Sequence, residues 1–224
     1  MFEQELEMEQ RQSSVVPLLL IIAMIMAFVG VAGYYVVQNR KVLPAAEASS
    51  LIASSLKQDG PVTFQFKVGP VVASVQDRPN DAHYRLLEKA GLITIGKAKG
   101  RITPITMTAV GAKLFAEIPG VTQTKDPKDS TTSYVVPVAA RTLVGTPTVT
   151  MTGMGRATAE FTWGWEPNKM GEMLDASGPL VKGFNTWDRG TLIDKYSVKF
   201  YHGEPTKAVM AFVRGDNGWK VSAE

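Results

Sequence analysis

The residues best placed to do chemistry lie in AEFTWGWEPN, where Phe161, Trp163 and Trp165 recur two apart. In an extended strand such positions share one face. Three large rings in a row make a wall for a glycan, a lipid tail or a peptide; the same alternation also builds a sheet core beneath a helix at 168–176. All four tryptophans (Trp163, Trp165, Trp187, Trp219) fall in the second half, which marks it as the better-packed unit. Other reactive groups are sparse. The two histidines, His83 and His202, belong to no HxH or HExxH pattern, so no metal centre is expected. His202, beside Gly203, reads as a surface residue at a strand end. The chain contains no GxSxG elbow, no P-loop and no GxGxxG opening a βαβ unit. Residues 151–156, MTGMGR, are glycine-rich, and a hairpin turn accounts for that. Asp175, Asp188 and Asp194 would act as acid and base only if the fold assembled them, and nothing in their spacing requires it. No catalytic set and no cofactor is expected.

A second chemical feature is the basic run Lys97, Lys99 and Arg101. It interrupts HYRLLEKAGLITIGKAKGRITPITMTAVGAKLF, which reads as a helix ending at Gly91, a strand, a basic turn, a strand and a helix. Residues 80–117 resemble the last part of a winged-helix DNA-binding domain. That resemblance implies a wing whose Lys97, Lys99 and Arg101 touch phosphates, with His83, Arg85 and Lys89 on the reading helix. The preceding GPVVASVQDRPN carries two prolines and a strand-like run where the motif has a helix. Nucleic acid is therefore not the expected partner, and a basic tip that is simply solvated fits the same residues.

The elements that must position these groups begin with VVPLLLIIAMIMAFVGVAGYYVV, residues 15–37, which holds no charge in 23 positions. As a helix it extends roughly 35 Å, enough for a hydrocarbon core of about 30 Å. Pro17 falls in the first turn, where a missing N–H costs little. Tyr34 and Tyr35 fall near the far end, where amphipathic rings favour the interface. Ala23, Ala27 and Gly30 form a small-residue stripe of a kind common in such helices. A signal peptide has a shorter apolar run and a basic start; here Glu3, Glu5, Glu7 and Glu9 precede the run and Asn39-Arg40-Lys41 follows it. An uncleaved, single-pass anchor in the cell (inner) membrane is expected. The flanking charges alone would keep the following domain in the cytoplasm. The habit of N-terminally anchored bacterial proteins places it outside, and the extracytoplasmic side is the expectation adopted.

Beyond the anchor the pattern is α+β with a mainly antiparallel sheet. Helices are expected at 44–58, 80–90, 109–117 and 168–176. Strands are expected at 62–68, 92–97, 101–108, 134–150, 155–166, 190–202, 206–214 and 218–222, with Gly69-Pro70 ending the first. The polar stretch 119–133 is a candidate linker. The expected organisation is an acidic tail (1–14), a transmembrane helix (15–37), a helix/hairpin subdomain (38–118), the polar linker (119–133) and a Trp-rich antiparallel subdomain (134–224). Charge divides the same way: residues 1–37 sum to −3, and the remainder, with 23 basic and 17 acidic residues, to +6. With no cysteine there is no disulfide, thiolate ligand or c-type haem attachment. The expected function is a non-enzymatic binding or interaction module, or an accessory subunit of a membrane or envelope complex, with the lipid bilayer as one partner. The alternatives are a membrane-anchored winged-helix regulator and a small-ligand binder or enzyme using the Trp163/Trp165 face.

Overall fold

The computed structural model describes residues 15–39, 42–74 and 78–222. The acidic tail and the Arg40-Lys41 pair lie outside the described residues. The first helix, α1 (Val15–Asn39), covers the whole uncharged run. Every side chain from Pro17 to Tyr34, the two ends of its membrane-length window, faces away from the rest of the chain.

The remaining elements form an α+β domain around one mainly antiparallel sheet. They are α2 (Ala45–Gln58), β1 (Val62–Val72), α3 (Ala82–Lys89), β2 (Ile93–Ile95), β3 (Ile102–Met107), α4 (Ala109–Glu117), β4 (Thr122–Lys125), β5 (Thr132–Gly153), β6 (Arg156–Pro167), α5 (Lys169–Met173), α6 (Pro179–Lys182), α7 (Thr186–Lys195), β7 (Thr206–Gly215) and β8 (Gly218–Val221). The strand order is β2-β3-β1-β5-β6-β7-β8, with β4 also paired to β5. One sheet therefore runs through both the helix/hairpin segment and the Trp-rich segment. The polar stretch between them is drawn into it as β4, whose Thr122–Lys125 pair with Val135 to Thr132 of β5.

Strand β1 continues through Gly69-Pro70 instead of stopping there. Residues 62–68 pair with β5, and residues 69–72 pair with β3. Gly69 is at φ +110°, outside the range open to most side chains. A Cβ on it would lie 3.0 Å from the Ser130 carbonyl. The glycine thus bends the strand from one partner to the other.

The 22 residues of β5 need relief from a flat ladder, and they have it at three places. A register shift opposite Val62/Thr63 places one extra residue between Pro137 and Ala139. A second irregularity lies between Val144 and Thr148, and a third between Met151 and Gly153. Both prolines of the strand, Pro137 and Pro147, sit at these irregularities, the positions where a ladder N–H is dispensable. The first bulge also changes parity. Tyr134, Val136 and Val138 point inward before it, and Ala139, Arg141 and Leu143 after it.

Two apolar clusters result. In the first, β1 and β5 (Phe64, Phe66, Val136) pack with α3 to α7 through Leu86, Leu87, Phe115, Leu174 and Leu192. In the second, α2 lays Ala48, Ile52 and Leu56, spaced four apart on one stripe, over Ala157, Ala159, Phe161, Phe212 and Trp219. Residues 190–202, expected as a strand, are instead the end of α7 and an irregular segment. Asn185 decides the start, because its side chain accepts the Asp188 N–H at 2.8 Å and caps the helix. Asp188-Arg189-Gly190 lies inside that helix. The helix at 168–176 is shorter, Lys169–Met173.

Helix α5 is seated directly on the first bulge of β5. The Val138 carbonyl accepts the Asn168 N–H at 2.9 Å, and the Pro137 carbonyl accepts the Asn168 side-chain N–H at 2.7 Å. A Cβ at Gly171 would fall 2.2 Å from the Val138 carbonyl oxygen. Gly171→Ala should therefore destabilise the protein by about 2–3 kcal/mol, as overpacking against fixed backbone does. Urea unfolding of the full chain in detergent, followed by tryptophan emission, measures this; an unchanged midpoint would contradict the seating.

Candidate functional site

The ring row of β6 is built by register. Leu143 faces Trp163 and Arg141 faces Trp165 across the β5–β6 ladder. The two tryptophan rings meet edge to face at 5.1 Å. The Arg141 guanidinium lies over both, 5.2 Å from the Trp163 ring and 5.5 Å from the Trp165 ring. It also donates to Asp59, the residue that ends α2. On the far side Trp165 meets the Tyr201 ring edge-on at 6.0 Å and takes the Lys199 ammonium at 5.8 Å. Phe161 is buried under α2, while Trp163 and Trp165 are half-buried. The three rings do share a face. Their neighbours, however, are this chain's own Arg141, Tyr201 and Lys199, so the row is a seam where the α2 core meets the larger core. A cation held between two indole faces and a carboxylate orients the sheet against α2.

Next to the seam is a carboxylate clamp. Asp175, 2 % exposed, accepts the Ser177 N–H at 2.6 Å, the Ser177 hydroxyl, and the His202 N–H at 3.2 Å. Burial pushes its carboxyl up, but these donors together outweigh burial and hold it below the usual aspartate range. Burial also raises the Tyr201 hydroxyl, with the Asp175 charge adding to the effect. That hydroxyl donates to the Ser197 carbonyl at 2.6 Å. His202 Nε2 lies 2.8 Å from Glu172. The hydrogen bond and the negative charge of Glu172 raise the imidazole above its ordinary value. The clamp ties the α5–α6 turn to the segment entering β7.

The three aspartates do not form one site. Asp188 pairs with Arg85 and receives the Asn185 amide at 2.7 Å, and Asp194 is exposed. Among the described residues no group of three or more His, Cys, Asp and Glu is disposed to hold a metal ion.

The basic tip turns at Gly100 (φ +62°), with Lys97 and Lys99 exposed and Arg101 donating to the Ala73 carbonyl at 3.2 Å. Strands β2 and β3 extend the main sheet through β1. The helix that the winged-helix resemblance would make a reader, α3, packs against α6 and α7, with Arg85 and Lys89 at its exposed edge. His83 is 3 % exposed and stacks on Tyr196 at 3.9 Å, Arg85 pairs with Asp188, and Lys89 sits 5.1 Å from the Phe184 ring. Its would-be base readers are engaged within the chain. Compared with known proteins, the chain matches no protein-family model, no curated protein and no solved structure.

Sequence reasoning passed over Arg141, Asp59 and the Asp175 clamp. One signal for Arg141 was present: it is the only charged residue in β5, and an inward cation in an apolar strand asks for partners.

Two outcomes test the seam and the clamp. Arg141→Met keeps the stem and removes the charge; it should cost about 1–2 kcal/mol and red-shift tryptophan emission, and a double cycle with Asp59→Asn should reveal coupling of a few tenths of a kcal/mol or more. For the clamp, a lowered native pKa means stability present above the ordinary aspartate pKa and lost as pH falls through the native value. Asp175→Asn should thus cost about 1–3 kcal/mol at pH 7. The gap between wild type and variant should close as pH drops below about 4. A gap that stays constant down to pH 2.5 would refute the assignment.

Proposed function

We propose that this is a non-enzymatic, single-pass membrane protein whose α+β domain is an interaction module, working as a binding or accessory subunit of a membrane or envelope complex. The observation that carries it is the state of α1. Its window Pro17–Tyr34 is long and apolar enough to cross a bilayer, and none of it is covered by the domain. A soluble protein does not leave so continuous an apolar surface in water, because burial is worth about 25 cal/mol per Å². A helix also meets its own backbone hydrogen-bonding needs, which a bilayer demands.

The domain supports the second half of the reading. Its aromatic row and its buried carboxylate are used in holding elements together, which is the profile of a scaffold that presents surface. In this reading the domain lies on the extracytoplasmic side of the inner membrane, following the habit of N-terminally anchored bacterial proteins.

Full-length chain should stay with vesicles through a carbonate wash, whereas a chain lacking residues 1–38 should be soluble with the circular dichroism of a folded α+β domain. Protease added outside spheroplasts should digest the domain. Purification of the full chain from native membranes should bring down a stoichiometric partner that the soluble fragment also captures. Release of the full chain as a monodisperse monomer by carbonate would defeat the reading.

A further inference from the structure

The end of the sheet nearest to α1 carries an unusual surface. The tip of the β5–β6 hairpin exposes Met151 and, completely, Met154. Together with the β7–β8 turn these residues line an open hollow of about 780 Å³, whose wall also includes Val42, Arg214 and Asp216. A fully exposed methionine in a tight turn serves no packing purpose inside the chain, since turns favour Gly, Asn, Asp and Ser.

Val42 fixes where this hollow lies. Only residues 40 and 41 separate it from Asn39, the last residue of α1. Three residue steps reach at most about 11 Å. The hollow and its methionines therefore stay close to the point at which α1 ends, whatever direction the connection takes. The interfacial layer of a bilayer is roughly 5–8 Å deep on each side of its hydrocarbon core.

The charge around the tip matches an anionic surface. Arg214 lines the hollow, its N–H bonded to the Gly155 carbonyl at 2.8 Å. Arg156 begins β6 opposite Val213, and the Lys220 side chain approaches Gly215. These three cations face two acids, Asp216 in the wall of the hollow and Glu47, whose carboxylate approaches Gly218 of the same turn. Apolar tips flanked by basic side chains suit a headgroup layer, where a methionine reaches the acyl boundary and cations meet phosphates.

We propose that the Met151–Met154 tip is a second membrane contact, dipping into the anionic headgroup layer of the leaflet from which α1 emerges and so holding the sheet against the bilayer. This rests on the reading that α1 spans the membrane.

The chain has no cysteine of its own, so single cysteines report cleanly. Full-length Met154→Cys, labelled with an environment-sensitive fluorophore, is reconstituted in phosphatidylcholine vesicles containing phosphatidylglycerol. The same is done for Phe28→Cys, inside α1, and for Glu166→Cys. Glu166 is exposed at the far end of β6, roughly 30 Å along the strand. Labels at 154 and 28 should both be blue-shifted and quenched by brominated lipid, and the label at 166 by neither. Adding Arg156→Gln and Arg214→Gln should reduce quenching at 154 and leave 28 unchanged. Quenching at 28 with an aqueous signal at 154 overturns the contact while leaving the span intact. An aqueous signal at 28 removes the span and the contact with it. Quenching at 154 that persists unchanged in neutral lipid or in the variant lacking Arg156 and Arg214 overturns the anionic assignment.

Discussion

Backbone hydrogen bonding along Thr132–Gly153 holds this domain together. Strand β5 pairs with β1, β4 and β6 in succession, so the small β2-β3-β1 sheet and the β6-β7-β8 sheet meet only through it. A strand of ordinary length, about five or six residues, could not serve both. The cost of length is twist and a loss of facing, and the three irregularities answer it. The first bulge matters most. Were the strand to alternate without a break through Val138 and Ala139, Arg141 and Leu143 would point away from the face that Tyr134 and Val136 line, and the two cores would lie on opposite sides of the sheet.

The helices follow from that geometry. The bulge turns the Val138 carbonyl toward Asn168, which caps α5 by accepting the Met170 and Gly171 N–H groups. Further along, the restored parity brings Arg141 beneath Trp163 and Trp165 and within reach of Asp59 at the end of α2. One extra residue thus sets the docking of a helix on each side of it. Neither ion pairing nor ring stacking would be strong alone at this half-exposed position, where such contacts contribute about 1 kcal/mol. Their value is in register, because each requires the strand parity that the bulge supplies.

How much of this was legible depends on whether the cause was local. The uncharged run of α1, the α2 stripe Ala48, Ile52 and Leu56, and the hairpins at 93–107 and 132–167 were readable because periodicity and turn residues announce them. The strand expected at 190–202 failed because Asn185, five residues before the expected start, caps a helix that runs into the range. Gly69-Pro70 was read as a stop because those residues usually end a strand; here they bend one between two partners, which only tertiary pairing decides. The ring row Phe161, Trp163 and Trp165 was placed correctly on one face. What occupies that face was not legible, since Arg141 reaches it through a bulge and Lys199 and Tyr201 arrive from a distant segment.

The same strand bears on how the domain would sit beside a bilayer. The α2 core, the hollow containing Val42 and the β5–β6 tip all lie toward the Gly153 end of β5, whereas the cluster of α3 to α7 lies toward its Thr132 end. Ladder hydrogen bonds make a sheet stiff along its strands, so the two ends cannot move independently without breaking pairs. With α1 in a bilayer, the short connection to Val42 would hold the Gly153 end near the membrane, and the sheet would carry the Thr132 end outward. The helices docked there, with exposed Trp187 on α7 and the basic β2–β3 tip, would be the surface farthest from lipid. On the proposed reading, the two tasks of the domain would be separated along one strand, attachment at the methionine-tipped end and presentation at the helical end.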